Sequence, residues 1–263
     1  MTSEESFLNE LNIFRNEALR AQKFVYTEIA IHNFAGNNKK ILDALNYSPT
    51  FWNTILSALQ HASFITIGRI FDIDSEHNIH VLIKIFENNK DIFTKEAFSK
   101  RWLKNRDKEQ INDYLPEYLK GVYEPTNIDF RAFKKSIKHL KNEYEKIYRP
   151  IRHQFGHNKY NTNEETEALF NKVQIKDLEK FCVSLGVIHE ILWQLYHNGH
   201  GTPLLPIKCE ESSTDNLLSN LDGQDYPGPA NVQFIRETES ALNLLSVGLK
   251  VEKENFEINH AKK

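Results

Sequence analysis

Two arginines and two histidines lie within nine residues of this chain, between Arg149 and His157. The pair with the most specific chemistry is Arg152 and His157. The arginine offers a planar fork of N–H donors that matches phosphate oxygens, and histidine exchanges a proton near neutral pH. Together they suit phosphodiester cleavage in RNA, where a base activates the ribose 2′-hydroxyl and a cation stabilises the transition state. This chemistry needs no metal and spares DNA, which lacks that hydroxyl.

The spacing of the pair requires a helix that bends or ends. Five residues separate Arg152 from His157, so a straight α-helix would place them about 140° apart around its axis. Pro150 removes a backbone donor and tends to kink a helix, and Gly156 is a common residue at a helix end. The sequence therefore allows His157 to fold back toward Arg152.

Two other interpretations of the cluster stay open. His153 and His157 have the i,i+4 spacing of zinc ligands, although no glutamate follows His153 and no third ligand is near in sequence. Alternatively, Arg152 pairs with a carboxylate and His157 caps a helix terminus, and both roles are structural. An arginine and a histidine at this spacing are common by chance and become informative only in their context.

That context is a long amphipathic run over 127–155, which begins at Asn127 or Asp129 as the expected cap. Residues 128–160 contain nine Lys/Arg and three Asp/Glu, a local excess of six positive charges in a chain whose net charge is -3. A solvated lysine face is the simple explanation. The apolar stripe comprises Phe130, Phe133, Ile137, Leu140, Tyr144, Ile147, Ile151 and Phe155. The candidates for RNA binding are Arg131, Lys134, Lys138, Lys141, Arg149 and Lys159.

Helical periodicity also extends over 3–35, 39–46, 49–72, 173–198 and 229–247, and no segment has a convincing strand pattern. The pattern predicts an all-α protein, an antiparallel helical bundle. The 49–72 helix is apolar on nearly all sides, which is typical of a central helix, and its Gly68 could allow close helix approach. Other residues expected on buried faces include His32, Ile175, Ala241, Leu244 and Leu245.

The bundle is expected to occupy residues 1–200. A polar segment around 91–125 reads as a peripheral insertion with short helices. From residue 201 onward, Pro, Gly and acidic residues predict a partly irregular C-terminal extension with one helix. Asp72, Asp74 and Glu76 resemble the start of a calcium loop, but the required glycine and closing glutamate are missing.

Composition excludes several classes of protein. Only two cysteines occur, Cys182 and Cys209, too few for a disulfide framework or a four-cysteine zinc site. Gly (10) and Pro (8) are scarce, which argues against a Gly-rich nucleotide fold. No signal peptide or membrane span is recognised, so a cytoplasmic location is expected, with no cofactor and no membrane partner.

With these residues in place, the chain resembles HEPN-domain proteins, whose hallmark is an arginine, four to six residues, then a histidine. Here Arg152, the polar follower His153 and His157 match. The aromatic-rich segment 51–59, continuing through 68–72 (Gly-Arg-Ile-Phe-Asp), is similar to the second block of the bacterial abortive-infection HEPN proteins. The resemblance covers roughly residues 5–200.

The resemblance implies a homodimer in which two Arg–His motifs face one another, and a metal-independent endoribonuclease of phage defence or stress response. Arg152 would bind the scissile phosphate, His157 would transfer protons, and His153 would orient or assist. Related toxins carry a modified tyrosine two residues after the histidine. Here Tyr160 is three residues after His157, so it departs from that spacing. Tyr160 is the candidate for modification or for support of the site, and this departure argues against the same form of regulation by an antitoxin or other partner. A non-catalytic module that binds RNA, a nucleotide or a protein is the alternative.

Overall fold

In the computed structural model, residues 2–104, 114–156, 173–199 and 233–247 are described, and all regular elements within these ranges are helical. The all-α prediction is confirmed. The helices are α1 (Ser3–Asn37), α2 (Lys39–Tyr47), α3 (Pro49–Phe71), α4 (Ile79–Asn88), α5 (Lys95–Lys104), α6 (Leu115–Gly121), α7 (Asn127–Glu143), α8 (Arg149–Gly156), α9 (Ile175–Asn198) and α10 (233–247). A 3-10 turn covers Lys90–Phe93, and a π-helical segment covers Tyr144–Tyr148.

The chain divides into two compact units. Unit 1 comprises Met1–Leu19 and Ile65–Glu210, and unit 2 comprises Arg20–Phe64 and Glu211–Lys263. The boundary expected near residue 200 falls beside residues outside the described ranges and stays a prediction. None of the described helices is long and apolar enough to cross a membrane.

Unit 1 has an aromatic core to which the polar segment around 91–125 contributes. Phe93 packs edge-on against Phe7 and Phe86, with ring centroids 5.1 and 5.0 Å apart. Phe98 is also fully buried and stacks on Tyr118. Burial of one such phenylalanine stabilises a fold by roughly 1.5–3 kcal/mol. The expectation of a purely peripheral segment is therefore wrong, because a few well-spaced aromatics outweigh the polar average of the stretch.

Unit 2 has a smaller core, and it exposes much of the first half of α3. Ile31 and Ile41 are buried there together with Leu242 of α10. One side of α3, which carries Trp52, Leu56 and Leu59, packs against this cluster. The side chain of Phe51, however, is 57% exposed. The prediction of a central helix holds for 66–71 and fails for this half, because an apolar sequence all round a helix does not ensure neighbours on every side.

Several predicted faces and caps also differ in detail. Thr126 caps α7 in place of Asn127 or Asp129, and Asp129 closes the reciprocal capping box. Asn78 caps α4, and Gly199 ends α9 in the left-handed conformation at φ 60°. Residues predicted to be buried but found exposed are His32, Ile175, Ala241, Leu244 and Leu245. They lie at or near the ends of their stripes, where a single step of three or four residues turns a side chain outward.

The helix that leads to the Arg–His cluster changes its hydrogen bonding before Pro150. The Arg149 N–H donates to the Tyr144 carbonyl, five residues back, and the chain then continues as α8. Proline has no N–H and its ring crowds the carbonyl four residues before it, so a wider turn fits directly ahead of it. In this turn Tyr148 is buried and Ile147 only half-buried. The deviation expected at Pro150 therefore takes the form of a π segment within a continuing helix.

Candidate functional site

Arg152 is held by a carboxylate that follows the end of α3. Its Nη1 forms an ion pair with Oδ2 of Asp72, and the two side chains are 25% and 13% exposed. The other carboxylate oxygen accepts a 2.6 Å hydrogen bond from the Tyr144 hydroxyl. Tyr144 lies in the π segment and stacks on Phe71, with ring centroids 5.2 Å apart. These contacts join α3, the π segment and α8 around one guanidinium.

Tyr144 and Arg152 have defined charge states. Burial, together with the hydrogen bond to Asp72, raises the pKa of Tyr144, so its hydroxyl remains protonated and acts as a donor. The arginine is charged at any relevant pH. Because the guanidinium has five N–H donors and part of the side chain is exposed, Arg152 has donors for an anion in addition to Asp72.

Gly68 provides the space through which Arg152 reaches Asp72. A Cβ atom placed on Gly68 would lie 2.5 Å from both Cδ and Nε of Arg152. Such a contact is too short for any side chain, so the arginine stem would have to move. The close approach that glycine was expected to permit is therefore made by the side chain of Arg152.

We expect Gly68→Ala to lower the free energy of unfolding by about 1–3 kcal/mol, the usual range for overpacking, and to weaken the Arg152–Asp72 pair. Gly36→Ala is the matched control, because it also lies in a helix and a Cβ there meets nothing within 4 Å. That change should stabilise the protein by about 0.5–1 kcal/mol. Urea unfolding of both variants measures the difference, and equal stabilities would contradict this account of Gly68.

The other predicted RNA-binding residues differ in their partners and in their exposure. Arg149 forms a 2.6 Å ion pair with Glu145, one helical turn before it. Lys134 pairs with Glu87 of α4 at 3.1 Å. Arg131 and Lys138 are exposed, and Lys141 is half-buried. Basic side chains therefore lie along α7, although Lys134 has a carboxylate partner, and so does Arg149 of α8.

Part of this face forms one wall of a groove of about 520 Å³ between α4 and α7. Lys134, Lys138 and Lys141 of α7 line it opposite His80 and Lys84 of α4. The structure therefore brings together three of the predicted RNA-binding lysines with two α4 residues that the sequence did not single out.

The predicted residues His157, Lys159 and Tyr160 lie outside the described residues, and so does Cys209. His153 is half-buried on α8. Within the described ranges there is no group of three or more His, Cys, Asp or Glu placed to hold a metal ion. Asp72, the first residue of the calcium-loop pattern, is instead bonded to Arg152 and Tyr144.

Sequence reasoning missed Asp72 and Tyr144 as neighbours of Arg152. A signal was present, because the segment 68–72 that resembles the second HEPN block begins with Gly68 and ends with Asp72. Both residues contact or make room for Arg152. Tyr144 gave no such signal, since its position in an apolar stripe accounts for it fully.

Comparison with known proteins identifies a family whose model matches most of the chain. A family model described as AbiU2, of the HEPN type, matches residues 4–211. No curated protein and no solved structure matches the chain. The matched range includes Gly68, Asp72, Tyr144 and the whole Arg–His cluster.

Proposed function

Since the chain belongs to the AbiU2 family of HEPN domains of the abortive-infection type, we propose that it is a metal-independent endoribonuclease that acts in phage defence or stress response. The observation that supports this most is the partly exposed guanidinium of Arg152. It pairs with Asp72, and its side chain passes over Gly68, where any larger residue would clash with it. Arg152 lies on α8, which follows the lysine-rich helix α7 and the π segment, and local positive charge of this kind attracts RNA. The second group that the reaction needs is one that transfers protons, and His157, five residues after Arg152, is the candidate for it.

In this proposal the chain's own residues have distinct roles. Arg152 binds a non-bridging oxygen of the scissile phosphate and stabilises the charge of the pentacoordinate transition state. His157 transfers the proton, and His153 orients or assists. The 2′-oxygen forms a bond to phosphorus while the bond to the 5′-oxygen breaks, and that oxygen takes up a proton. The products are a 2′,3′-cyclic phosphate and a 5′-hydroxyl.

The test is cleavage of single-stranded RNA by the purified chain in EDTA, with identification of the new ends. Products that carry a cyclic phosphate support the proposal, and the same chain should leave DNA intact. A requirement for a divalent cation, or cleavage of DNA at a comparable rate, would contradict it.

We further propose that the chain works as a homodimer, in which two Arg–His motifs act on one strand. Unit 2 leaves large apolar side chains exposed, including Phe51 and Tyr47 at 57% and 61%, and exposed apolar surface favours association.

Analytical ultracentrifugation should give twice the mass of the 30.8 kDa chain. Phe51→Glu should shift the equilibrium toward monomer, whereas Leu42→Glu tests whether any exposed apolar position has the same effect. A monomeric wild type at micromolar concentration would rule out the dimer. An antitoxin or other regulatory partner stays a prediction.

One observation favours a second function, a HEPN-like module that binds RNA or a nucleotide without cutting it. The charge of Arg152 is partly neutralised by Asp72, so the guanidinium is less available to a transition state than a free one. RNA binding without cleavage products, in preparations that remain folded, would favour this alternative.

A further inference from the structure

The groove between α4 and α7 combines an excess of positive charge with a buried polar atom that none of the described residues hydrogen-bonds. Four lysines line it, namely Lys84, Lys134, Lys138 and Lys141, against one glutamate, Glu87. At neutral pH the lining therefore has three net positive charges, four minus one. Glu87 pairs with Lys134 at 3.1 Å, which leaves the region of Lys84, Lys138 and Lys141 as the more positive part.

His80 adds a hydrogen-bonding group to that part of the groove. Its Nε2 is buried and has no hydrogen-bond partner among the described residues. Burial is the main cause that lowers the pKa of His80, Lys141 lowers it further, and Glu145 raises it. The ring is therefore neutral near pH 7 and presents one N–H. A buried nitrogen without a partner is unfavourable, and an oxygen anion in the groove would satisfy it.

The dimensions favour a row of phosphates over a single one. Lys134, Lys138 and Lys141 stand on successive turns of α7, so the row is about 10 Å long at 1.5 Å per residue. Its volume of about 520 Å³ also admits more than one phosphate group. No Phe, Tyr or Trp is among the described residues that line it, so a base would find no such ring to stack on.

We propose that this groove is a phosphate-binding site for the backbone of single-stranded RNA, with His80 and Lys84 of α4 forming the wall opposite the lysines of α7. Lys84, Lys138 and Lys141 neutralise successive phosphates, and Nε2 of His80 donates to a phosphate oxygen. The proposal takes RNA as the ligand from the proposed function, but it concerns a site separate from the Asp72-bound Arg152. It requires no cleavage.

Binding is therefore measured in a His157→Ala background by fluorescence anisotropy, with a labelled single-stranded oligouridylate and a series of salt concentrations. We expect Lys84→Gln/Lys138→Gln to weaken binding roughly tenfold and to reduce the slope of log affinity against log salt by about 1.4, which is 0.7 for each lost contact. Lys39→Gln/Lys40→Gln removes the same charge from exposed positions of α2 and should change neither quantity. Equal affinities and slopes in the two double variants would overturn the proposal.

His80 is tested with two substitutions. His80→Leu should weaken RNA binding by about tenfold, whereas His80→Gln, which retains an N–H donor, should restore most of it. Far-UV circular dichroism and thermal melting establish that both variants are folded. Full affinity in a folded His80→Leu variant would remove His80 from the site.

A free nucleotide has the same phosphate chemistry, so ATP and inorganic phosphate are tested as competitors at constant ionic strength. Under the proposal, millimolar ATP displaces little RNA from the wild-type groove. If ATP bound in a manner that depended on Lys84 and Lys138 while RNA affinity did not, the RNA backbone would not be the occupant. Because these measurements need only binding, they can succeed when cleavage fails, and the reverse also holds.

Discussion

His157→Ala is expected to lower the rate of RNA cleavage in EDTA by about 10²–10⁴-fold, the range that general acid–base catalysis contributes. Histidine is the side chain whose ordinary pKa allows it both to accept and to donate a proton near neutral pH. Alanine can do neither, so the 2′-hydroxyl and the leaving oxygen would have to exchange protons with water. Gel-resolved cleavage of a labelled RNA, under single-turnover conditions, measures the loss.

The control for this variant is His32→Ala, which removes an exposed histidine from α1 and should leave the rate unchanged. Circular dichroism and thermal melting show whether either variant has lost structure. If the wild type and His157→Ala were equally inert on a diverse set of RNAs, the catalytic role of the Arg–His motif would be abandoned. The binding-module alternative would then be preferred.

The second large effect is expected for Arg152→Ala, which should reduce cleavage by about 10²–10³-fold through loss of transition-state charge stabilisation. It should also lower the free energy of unfolding by about 1–3 kcal/mol, because the 13%-exposed carboxylate of Asp72 loses its cation. Urea unfolding measures this second effect. Arg149→Ala, which breaks a more exposed pair with Glu145, is the stability control and should cost less than about 1 kcal/mol.

A double variant separates the two consequences of losing Arg152. Arg152→Ala/Asp72→Asn replaces the unpaired carboxylate with a neutral amide whose oxygen can still accept the Tyr144 hydrogen bond. It should therefore regain most of the lost stability and none of the lost activity. Recovery of cleavage together with stability would mean that Arg152 supports the fold and does not act on the phosphate.

Local periodicity predicted much of the fold because buried helical faces follow directly from residue spacing. Phe130, Phe133, Ile137 and Leu140 are buried as the stripe of α7 requires. Gly199 ends α9 because few other residues adopt its positive φ without strain. Family membership was predictable too, since the match covers both the Arg–His cluster and the 51–72 segment.

The partners of Arg152 could not be predicted in the same way. Asp72 lies 80 positions before Arg152 in the sequence, and an ion pair over that separation depends on how the helices pack. The polarity of the segment around 91–125 concealed Phe93 and Phe98, which are buried. The exposure of Phe51 depends on which elements cover α3, information that its own apolar pattern does not contain. The placement of His157 relative to Arg152 stays a prediction.

The π segment at Tyr144–Tyr148 sets the direction in which the side chains of α8 point. A turn closed by a five-residue hydrogen bond holds about one residue more than an α-helical turn, so the side chains after it are rotated by about 100° from the course of a regular helix. Arg152 faces Asp72 in that rotated frame. Shortening this stretch by a single amino acid could therefore leave the helix intact while its arginine is aimed elsewhere, so the length of the segment matters to the site as much as the identity of its residues.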